Sequence, residues 1–175
     1  TVYGDGSIRV KVDFTPRADL APLARLGTRW QLDGELDRLA FFGRGPHENY
    51  RDKKASTLLG LYRSTVAEQH EPYVRPQENG AHTDTAFAAV TNDLGMGLIF
   101  CGAPDFIFTA HDYSDEALTE AEHVHELEPE DVTYINIDCA HSGLGTAACG
   151  PKLLPENRLY PCPATLEYVM RPFCD

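Results

Sequence analysis

The sequence has few of the residues and motifs on which self-contained chemistry usually depends. Its 175 residues include one tryptophan, two methionines and five cysteines, and no two cysteines form a CxxC pair. It contains no GxSxG nucleophile elbow, no GxxxxGK[ST] phosphate loop and no GxGxxG dinucleotide fingerprint. The signatures of serine hydrolases, P-loop enzymes and dinucleotide-binding enzymes are therefore excluded, and no recognisable set of catalytic groups is left.

Long apolar runs and an excess of basic residues are also missing. The longest weakly polar run, residues 94–104, is about half of the roughly 20 residues that a membrane-spanning helix needs. Fifteen basic side chains against 27 acidic ones give a net charge of −12. Because such a surface repels phosphate backbones and anionic lipid, we expect neither nucleic acid nor a membrane as a partner. A hydrophobic content of 42% predicts one folded globular domain.

The cysteines favour a cytoplasmic protein, and the first residues indicate how the chain was produced. The five cysteines are an odd number and are thinly spread, which favours reduced thiols over a disulfide framework. The chain begins at Thr1, and no basic-then-apolar leader follows. We therefore expect either a piece of a larger polypeptide or a processed product.

The hydrophobic periodicity is mostly two, which predicts β-strands with one buried face. Residues 8–14 alternate cleanly, and residues 26–32 run through Trp30 to an Asp33-Gly34 turn signal, so we expect a hairpin with the following strand, 36–42. Ser114 followed by Asp115 and Glu116 predicts the start of one short helix over residues 114–123. Further strands are predicted at 85–91, 97–101, 106–111, 132–139 and 164–171, with a hairpin turn at 92–95. The pattern favours a β-sandwich or barrel.

Three long segments fit no strand, namely residues 43–55, 70–80 and 141–151. Long structured loops on a β scaffold often carry binding sites and interfaces. Glu48 and Glu78 lie in two of them, and a close pair of carboxylates would suit glycoside hydrolysis. We favour the simpler interpretation that each glutamate, with Asn49 or Asn79 beside it, accepts backbone hydrogen bonds that hold its loop.

Histidines offer a second possible site. His123 and His125 are spaced as HxH, and His111, His141 or nearby glutamates could complete a zinc site. We favour a structural role for this motif, among acidic residues that satisfy its ring N–H groups. Among the aromatic residues, Trp30 lies in register with core positions, whereas Tyr50, Tyr62 and Tyr73 lie in or near loops where a sugar could be contacted.

Several loop segments, taken in order, resemble one family. LARLG precedes Trp30, FGRGPHENY ends at Tyr50 and YVRPQENG ends at Gly80. Together they are similar to the C-terminal β-sandwich domain of glycoside hydrolase family 2 β-galactosidases. Further matching blocks are Arg51-Asp52-Lys53 with Ala55, His123-x-His125, Asn136-Ile-Asp138 and His141-x-Gly143-x-Gly145.

The resemblance implies an all-β fold, a galactose mutarotase-like supersandwich of antiparallel sheets with one short helix. Residues 1–175 would be the later, larger part of the family domain. In that family the two catalytic glutamates and the magnesium ligands lie in a separate (β/α)8 barrel, which nothing here resembles. We therefore expect no catalytic residue and no metal site in this chain, with magnesium, and sodium as a second candidate, bound in other domains. The full-length protein would hydrolyse terminal β-D-galactosides and form a homo-oligomer, whereas the isolated domain would be inactive.

The resemblance also implies a substrate rim. In well-known members a tryptophan follows the HxGxG block and stacks on the sugar, and here Cys149 occupies that position. A thiol offers less apolar area than an indole, so stacking would be weaker and lactose is not assigned as the preferred substrate. We predict a rim of Cys149, His141 and Gly145. The predicted loop or interface residues are His47, Glu48, Asn49, Tyr50, Tyr73, Glu78 and Asn79.

Three alternatives remain open at the level of the sequence. The chain could be a free-standing carbohydrate-binding module, which needs an exposed aromatic platform. It could be a mutarotase-like epimerase, for which His123, His125 and Glu78 are the candidate groups. It could also be a separately encoded small subunit of a two-chain β-galactosidase.

Overall fold

The computed structural model describes residues 1–145 and 151–174, and within them the chain folds as antiparallel strands with one short helix. The prediction of an all-β architecture is confirmed. The helix α1 covers Asp115–Glu120, and short 3-10 turns occur at Ala67–Gln69, Val124–Glu126 and Pro155–Asn157. The strands are β1 (Ile8–Phe14), β2 (Arg25–Asp33), β3 (Arg38–Gly45), β4 (Leu58–Thr65), β5 (His82–Thr91), β6 (Met96–His111), β7 (Val132–His141) and β8 (Ala164–Cys174).

The long strand β6 belongs to two parts of the sheet. Its first half pairs with β8 from Met96 to Gly102, and its second half pairs with β7 from Ile107 to His111. The main path of the sheet runs β1-β8-β6-β5-β3-β4, and β7 and β2 extend it from the second half of β6. The sheet therefore closes around a core in the manner of a β-sandwich.

The core lies between the inward faces of these strands. Trp30 packs against it, and its indole N–H donates to the Tyr168 hydroxyl at 2.7 Å. Each large side chain enclosed in this way contributes about 1.5–3 kcal/mol to stability. The largest fully enclosed apolar side chains include Phe41, Phe100, Phe106, Phe108, Ile135, Ile137, Leu166 and Tyr168.

Two local predictions are confirmed. The Ser114 hydroxyl accepts from the Ala117 amide at 3.2 Å, which caps the start of α1. Between β5 and β6, the Asn92 amide donates to the Met96 carbonyl at 2.9 Å, and Gly95 has a φ of +77°. A residue without a side chain suits this left-handed position, so the turn forms as its residues indicate.

The predicted hairpin of residues 26–32 with 36–42 is wrong. The turn does form, since the Leu36 amide donates to the Asp33 carbonyl at 3.0 Å. However, β2 pairs along its whole length with β7, while β3 pairs with β4 and β5. The pairing with β7 outweighs pairing across the short turn, so neighbours in sequence lie in different parts of the sheet.

The sequence pattern does not predict β4. Its leucines at positions 58, 59 and 61 do not alternate with polar residues, and all three are exposed. A strand with apolar residues on its outer face loses the period of two on which the prediction depends.

Candidate functional site

The three long loops meet at one end of the sheet. The Gly80 amide donates to Glu48 Oε2 at 2.8 Å, which joins the first loop to the second. The amides of Leu144 and Gly145 donate to the carboxylate of Asp52 at 3.0 and 2.9 Å, which joins the first loop to the third. The segments that the sequence marked as irregular therefore form one connected region.

Glu48 is a buried carboxylate at the centre of the first loop. Its Oε1 accepts from Lys53 Nζ at 2.6 Å and from the hydroxyl of Tyr73. Burial and the bond to Glu48 together raise the pKa of Tyr73 to about 12. Burial opposes the charge on Lys53, but the bond to Glu48 outweighs it, and the pKa of Lys53 is raised. Tyr73 therefore stays protonated and Lys53 charged at neutral pH.

The two asparagines bridge backbone segments. Asn49 Oδ1 accepts from the amide and the hydroxyl of Thr83 at 3.0 and 2.6 Å. Asn79 Oδ1 accepts from the Glu71 amide at 2.9 Å. Beside it Gly80 has a φ of +72°, and a Cβ there would lie 2.7 Å from the carbonyl oxygen of Gln69. The close approach of the loops thus requires glycine at this position.

Arg25 and two carboxylates form a second charged cluster beneath the loops. Arg25 Nη2 donates to Asp138 Oδ2 at 2.6 Å, and Nη1 donates to Glu78 Oε2 at 3.2 Å. The Asp138 side chain is only 2% exposed, whereas that of Glu78 is 33% exposed. Burial raises the pKa of Asp138, and the charge of Arg25 offsets only part of that rise. The guanidinium therefore supports a carboxylate that would be costly to bury alone.

His141 and Tyr50 approach the other oxygen of Glu78. His141 Nε2 lies 3.5 Å from Glu78 Oε1, which is an ion-pair distance, and the Tyr50 hydroxyl lies 3.4 Å from the same oxygen. Burial lowers the pKa of His141, but attraction to Glu78 outweighs this and raises it above the ordinary value. Burial raises the pKa of Glu78, but the neighbouring His141 and Arg25 outweigh it and lower it. His141 and Glu78 therefore stabilise each other in the charged form.

Of the three predicted rim residues, the structure describes two, and each of these has a different partner. His141 belongs to the charged cluster, and Gly145 is held by Asp52. Cys149 lies outside the described residues. A pocket of about 420 Å³ is lined by residues on both sides of positions 146–150, namely Asp52, Lys53, Leu144, Gly145, Pro151, Lys152, Leu153, Leu154 and Asn157.

Asp52 is a site residue that the sequence analysis did not single out. It follows Tyr50 within the block that resembles the family, but no spacing rule marks it. Its carboxylate holds two consecutive amides more than 90 positions away in the chain. A contact of that kind leaves no local pattern in the sequence.

His47 and the HxH motif do not join the charged cluster. His47 is exposed, and its Nε2 lies 3.1 Å from the Ser56 hydroxyl. His123 Nδ1 lies 3.1 Å from Glu126 Oε1, and its ring packs against His125 rather than meeting Glu78. The acidic partner expected for the HxH motif is present as Glu126. The three groups named for an epimerase therefore do not converge.

The described residues contain neither a candidate metal centre nor a membrane-spanning helix. In residues 1–145 and 151–174, no group of three or more His, Cys, Asp or Glu side chains could hold a metal ion. In the same ranges, none of the helices combines the length and the apolar character needed to cross a bilayer.

The charged clusters are arranged to hold loops in place. Lys53 binds Glu48, and Arg25 binds both Glu78 and Asp138. The Lys53–Glu48 pair lies within the first loop, whereas Arg25 joins strand β2 to the second loop and to strand β7. Such pairing fixes the shape of the first loop and the position of the second.

Comparisons with known proteins show which family the chain belongs to. A family model described as "Beta galactosidase small chain" matches residues 1–171. The chain is 34% identical over 145 residues to a beta-galactosidase of Priestia megaterium, which covers 83% of this chain and 14% of that protein. It is 34% identical over 158 residues to one of Actinobacillus pleuropneumoniae, covering 90% of this chain and 15% of that protein.

A third beta-galactosidase, from Vibrio cholerae, is 37% identical over 144 residues, which covers 82% of this chain and 13% of that protein. The chain therefore spans about a seventh of the length of these curated relatives. Because the match to the family extends over nearly all of the chain, the chain belongs to the β-galactosidase small-chain family.

Proposed function

We propose that this chain is the C-terminal β-sandwich domain of a β-galactosidase that hydrolyses terminal β-D-galactosides. It forms part of the rim of the active site and does not catalyse the reaction alone. The family membership and the names of the relatives support the activity of the whole protein. The pairing of the loop carboxylates with this chain's own cations supports a shaping role over a catalytic one.

The main support for the proposal is the way in which the third loop is bound to the first. Asp52 fixes the amides of Leu144 and Gly145, directly before the segment that contains Cys149. On the other side the Gly143 amide donates to the Asn157 carbonyl at 2.8 Å. A Cβ on Gly143 would lie 2.5 Å from the Asp52 carboxyl carbon, so glycine permits this close contact. We assign His141, Gly145 and Cys149 to the rim, with Asp52 as the residue that positions it.

The cofactors and partners of the whole protein are part of the same proposal. The described residues do not fit a magnesium ion, because no group of candidate ligands is brought together. We assign magnesium, and sodium as a second candidate, to other domains. We also propose that the full-length protein is a cytoplasmic homo-oligomer in which the other domains of the β-galactosidase are this chain's partners. The net charge of −12 supports an absence of nucleic-acid or membrane partners.

The proposal that catalysis belongs to other domains is tested by comparing the isolated chain with the full-length enzyme. We expect no hydrolysis of a chromogenic β-galactoside by the chain alone, and turnover by the full-length protein. Turnover by the pure chain that is lost on changing one of its own residues would contradict the proposal. Saturable heat on titrating the chain alone with galactose would favour a binding module instead.

The rim is tested by Asp52→Ala in the full-length enzyme. Losing two hydrogen bonds to a carboxylate, each worth roughly 1.5–3 kcal/mol, frees the loop, and we expect KM to rise roughly tenfold. Asp33→Ala is the matched control, because Asp33 also accepts a backbone amide, that of Glu35 at 3.0 Å, in a turn outside the loops. Cys149→Trp should change the affinity for galactosides with little effect on folding. Unchanged kinetics in both Asp52→Ala and Cys149→Trp would remove the rim assignment.

A further inference from the structure

The imidazole of His141 lies between two groups that accept hydrogen bonds and cannot donate them. Its Nδ1 is 2.6 Å from the carbonyl oxygen of Ser142, and because a carbonyl only accepts, Nδ1 carries a proton. Its Nε2 is buried, has no hydrogen-bond partner among the described residues and faces Glu78 Oε1 at 3.5 Å. Without a second proton, the lone pair of Nε2 would point at a carboxylate. The geometry on both sides of the ring therefore favours the doubly protonated, charged form.

The charged groups beside the ring favour the same form. Glu78 comes from the second loop, Asp138 from β7, and Arg25 from β2, where it pairs in register with His141. Two carboxylates and one guanidinium leave a single negative charge, which the imidazolium neutralises. Tyr50 of the first loop, whose ring centre lies 5.3 Å from that of His141, stays uncharged because burial and the nearby carboxylates raise its pKa.

A cavity of about 160 Å³ borders the same ring, and the charges that line it balance. Two of its charged residues are basic and two are acidic, and Lys54 binds Asp84 at 2.7 Å. The titratable and charged residues that line the cavity with His141 are Tyr50, Arg51, Lys54, Asp84, Asp105 and Cys139. The excess negative charge beside the imidazole therefore comes from the cluster of Arg25, Asp138 and Glu78.

The same ring is bonded to the first peptide of the third loop. Strand β7 ends at His141, and the chain leaves the sheet through Ser142. The Ser142 amide donates to the Ala24 carbonyl at 2.8 Å, and the Ser142 hydroxyl donates to the Leu23 carbonyl at 2.7 Å and accepts from the Leu159 amide at 2.9 Å. These bonds hold the amide and the side chain of Ser142, whereas its carbonyl is held by His141. The imidazole thus orients the peptide that leads into the third loop.

We infer that His141 is a positioning residue for the rim, and that the affinity for β-galactosides falls when its imidazolium loses a proton. A neutral imidazole has a single N–H, so it can hold the Ser142 carbonyl or Glu78 but not both. One of the two loops then loses its bond to the ring. His141 is only 8% exposed, so it acts through the third loop, and the inference rests on the proposed rim. The raised pKa of His141 agrees with a charged ring at neutral pH.

The test measures the equilibrium dissociation constant of the full-length enzyme for an unreactive thiogalactoside. The range from about pH 6 to about pH 9 brackets the titration of a histidine whose pKa is raised. Because no bond is broken, the rates of the catalytic steps do not enter the measurement. We expect a constant value on the acid side and a rise of about fivefold as His141 loses its proton.

Two variants identify the group that titrates. Glu78→Gln removes the carboxylate that favours the charged ring, so the rise should move to lower pH. His141→Gln has no titrating group at this position, so the rise should be absent. Glu116→Gln is the matched control, because it makes the same change of charge at an exposed site beside Arg29, and it should leave the rise where it is. A purely structural role for Glu78 would instead raise the dissociation constant equally at every pH.

A dissociation constant that does not change with pH in the unmutated enzyme would overturn the inference. A rise that stays at the same pH in both Glu78→Gln and His141→Gln would also overturn it. Glu78→Gln retains the histidine, so the result does not depend on the folding of His141→Gln. If Asp52→Ala weakens binding while the unmutated enzyme shows no rise, the rim stands and only the role of His141 is wrong. If neither Asp52→Ala nor Cys149→Trp changes the kinetics, the rim fails and this inference fails with it.

Discussion

Glu48 and Glu78 are each followed by asparagine in a long loop, yet their surroundings differ. Glu48 is enclosed and has its own cation, Lys53, together with the Gly80 amide. Glu78 is a third exposed and shares Arg25 with the more deeply buried Asp138. The comparison shows that the local Glu-Asn pair does not decide the electrostatic role of the glutamate. That role depends on which cation the fold places beside the glutamate.

The largest effect should come from removing the shared cation. Arg25→Met leaves Asp138 buried without its partner, and we expect a loss of about 3–5 kcal/mol in the free energy of unfolding, measured by urea denaturation. Arg29→Met is the matched control on the same strand, because Arg29 also binds two acids, Asp115 and Glu116, but near the surface. The control should cost about 1 kcal/mol or less. Equal losses would show that burial does not distinguish the two arginines.

A smaller effect should separate the two glutamates directly. Glu48→Gln removes the charge that binds Lys53 inside the loop, and we expect a loss of about 1–3 kcal/mol. Glu78→Gln leaves Arg25 paired with Asp138, so its loss should be about 1 kcal/mol or less. Both values come from urea denaturation of the isolated chain. If Glu78→Gln proved the more costly, the contrast between the two sites would be reversed.

The smallest effect concerns the pH dependence of the Glu78–His141 pair. His141 has a raised pKa in the folded chain, so its contribution to stability is complete below the unfolded value of about 6.5 and is lost as the pH rises through the folded value. Glu78 has a lowered pKa, so its contribution is present above about 4.3 and is lost as the pH falls through the folded value. The pair therefore stabilises the chain most between these limits.

The pKa of the His141 imidazole, measured by NMR titration, tests whether His141 interacts with Glu78. Glu78→Gln should lower the pKa of His141, because the attraction of the carboxylate is removed. Glu116→Gln makes the same change of charge at an exposed site that binds Arg29, and it should leave the pKa of His141 unchanged. An unchanged pKa of His141 in Glu78→Gln would show that the two groups do not interact at 3.5 Å.

Local signals in the sequence predicted the elements that depend on local physics. The alternation in β1, the serine cap of α1 and the Asn92–Gly95 turn are each set by residues within a few positions of one another. The predicted hairpin was wrong because β2 pairs with β7, which lies about 100 residues away in the sequence. The strand β4 was missed because its outer face is apolar.

The loops could be recognised as important, but their contacts could not be predicted. Arg25 and Asp138 are 113 positions apart, and Asp52 and Gly145 are 93 apart. The resemblance to a family marked the blocks that contain these residues without saying which atoms meet. Their role follows only from the folded arrangement, in which Arg25 of β2 meets Asp138 of β7 and the Asp52 carboxylate meets the Gly145 amide of another loop.

The two halves of strand β6 pair with different strands, so β6 fixes the distance between two parts of the molecule. Cys101 pairs with Val169 of β8, and eight residues further along the same strand Thr109 contacts Arg25 beneath the loops. At about 3.3–3.4 Å per residue, the two points are at most roughly 27 Å apart. Because β6 is one continuous strand, it holds its pairing with β8 at a fixed distance from the Arg25 cluster beneath the loops.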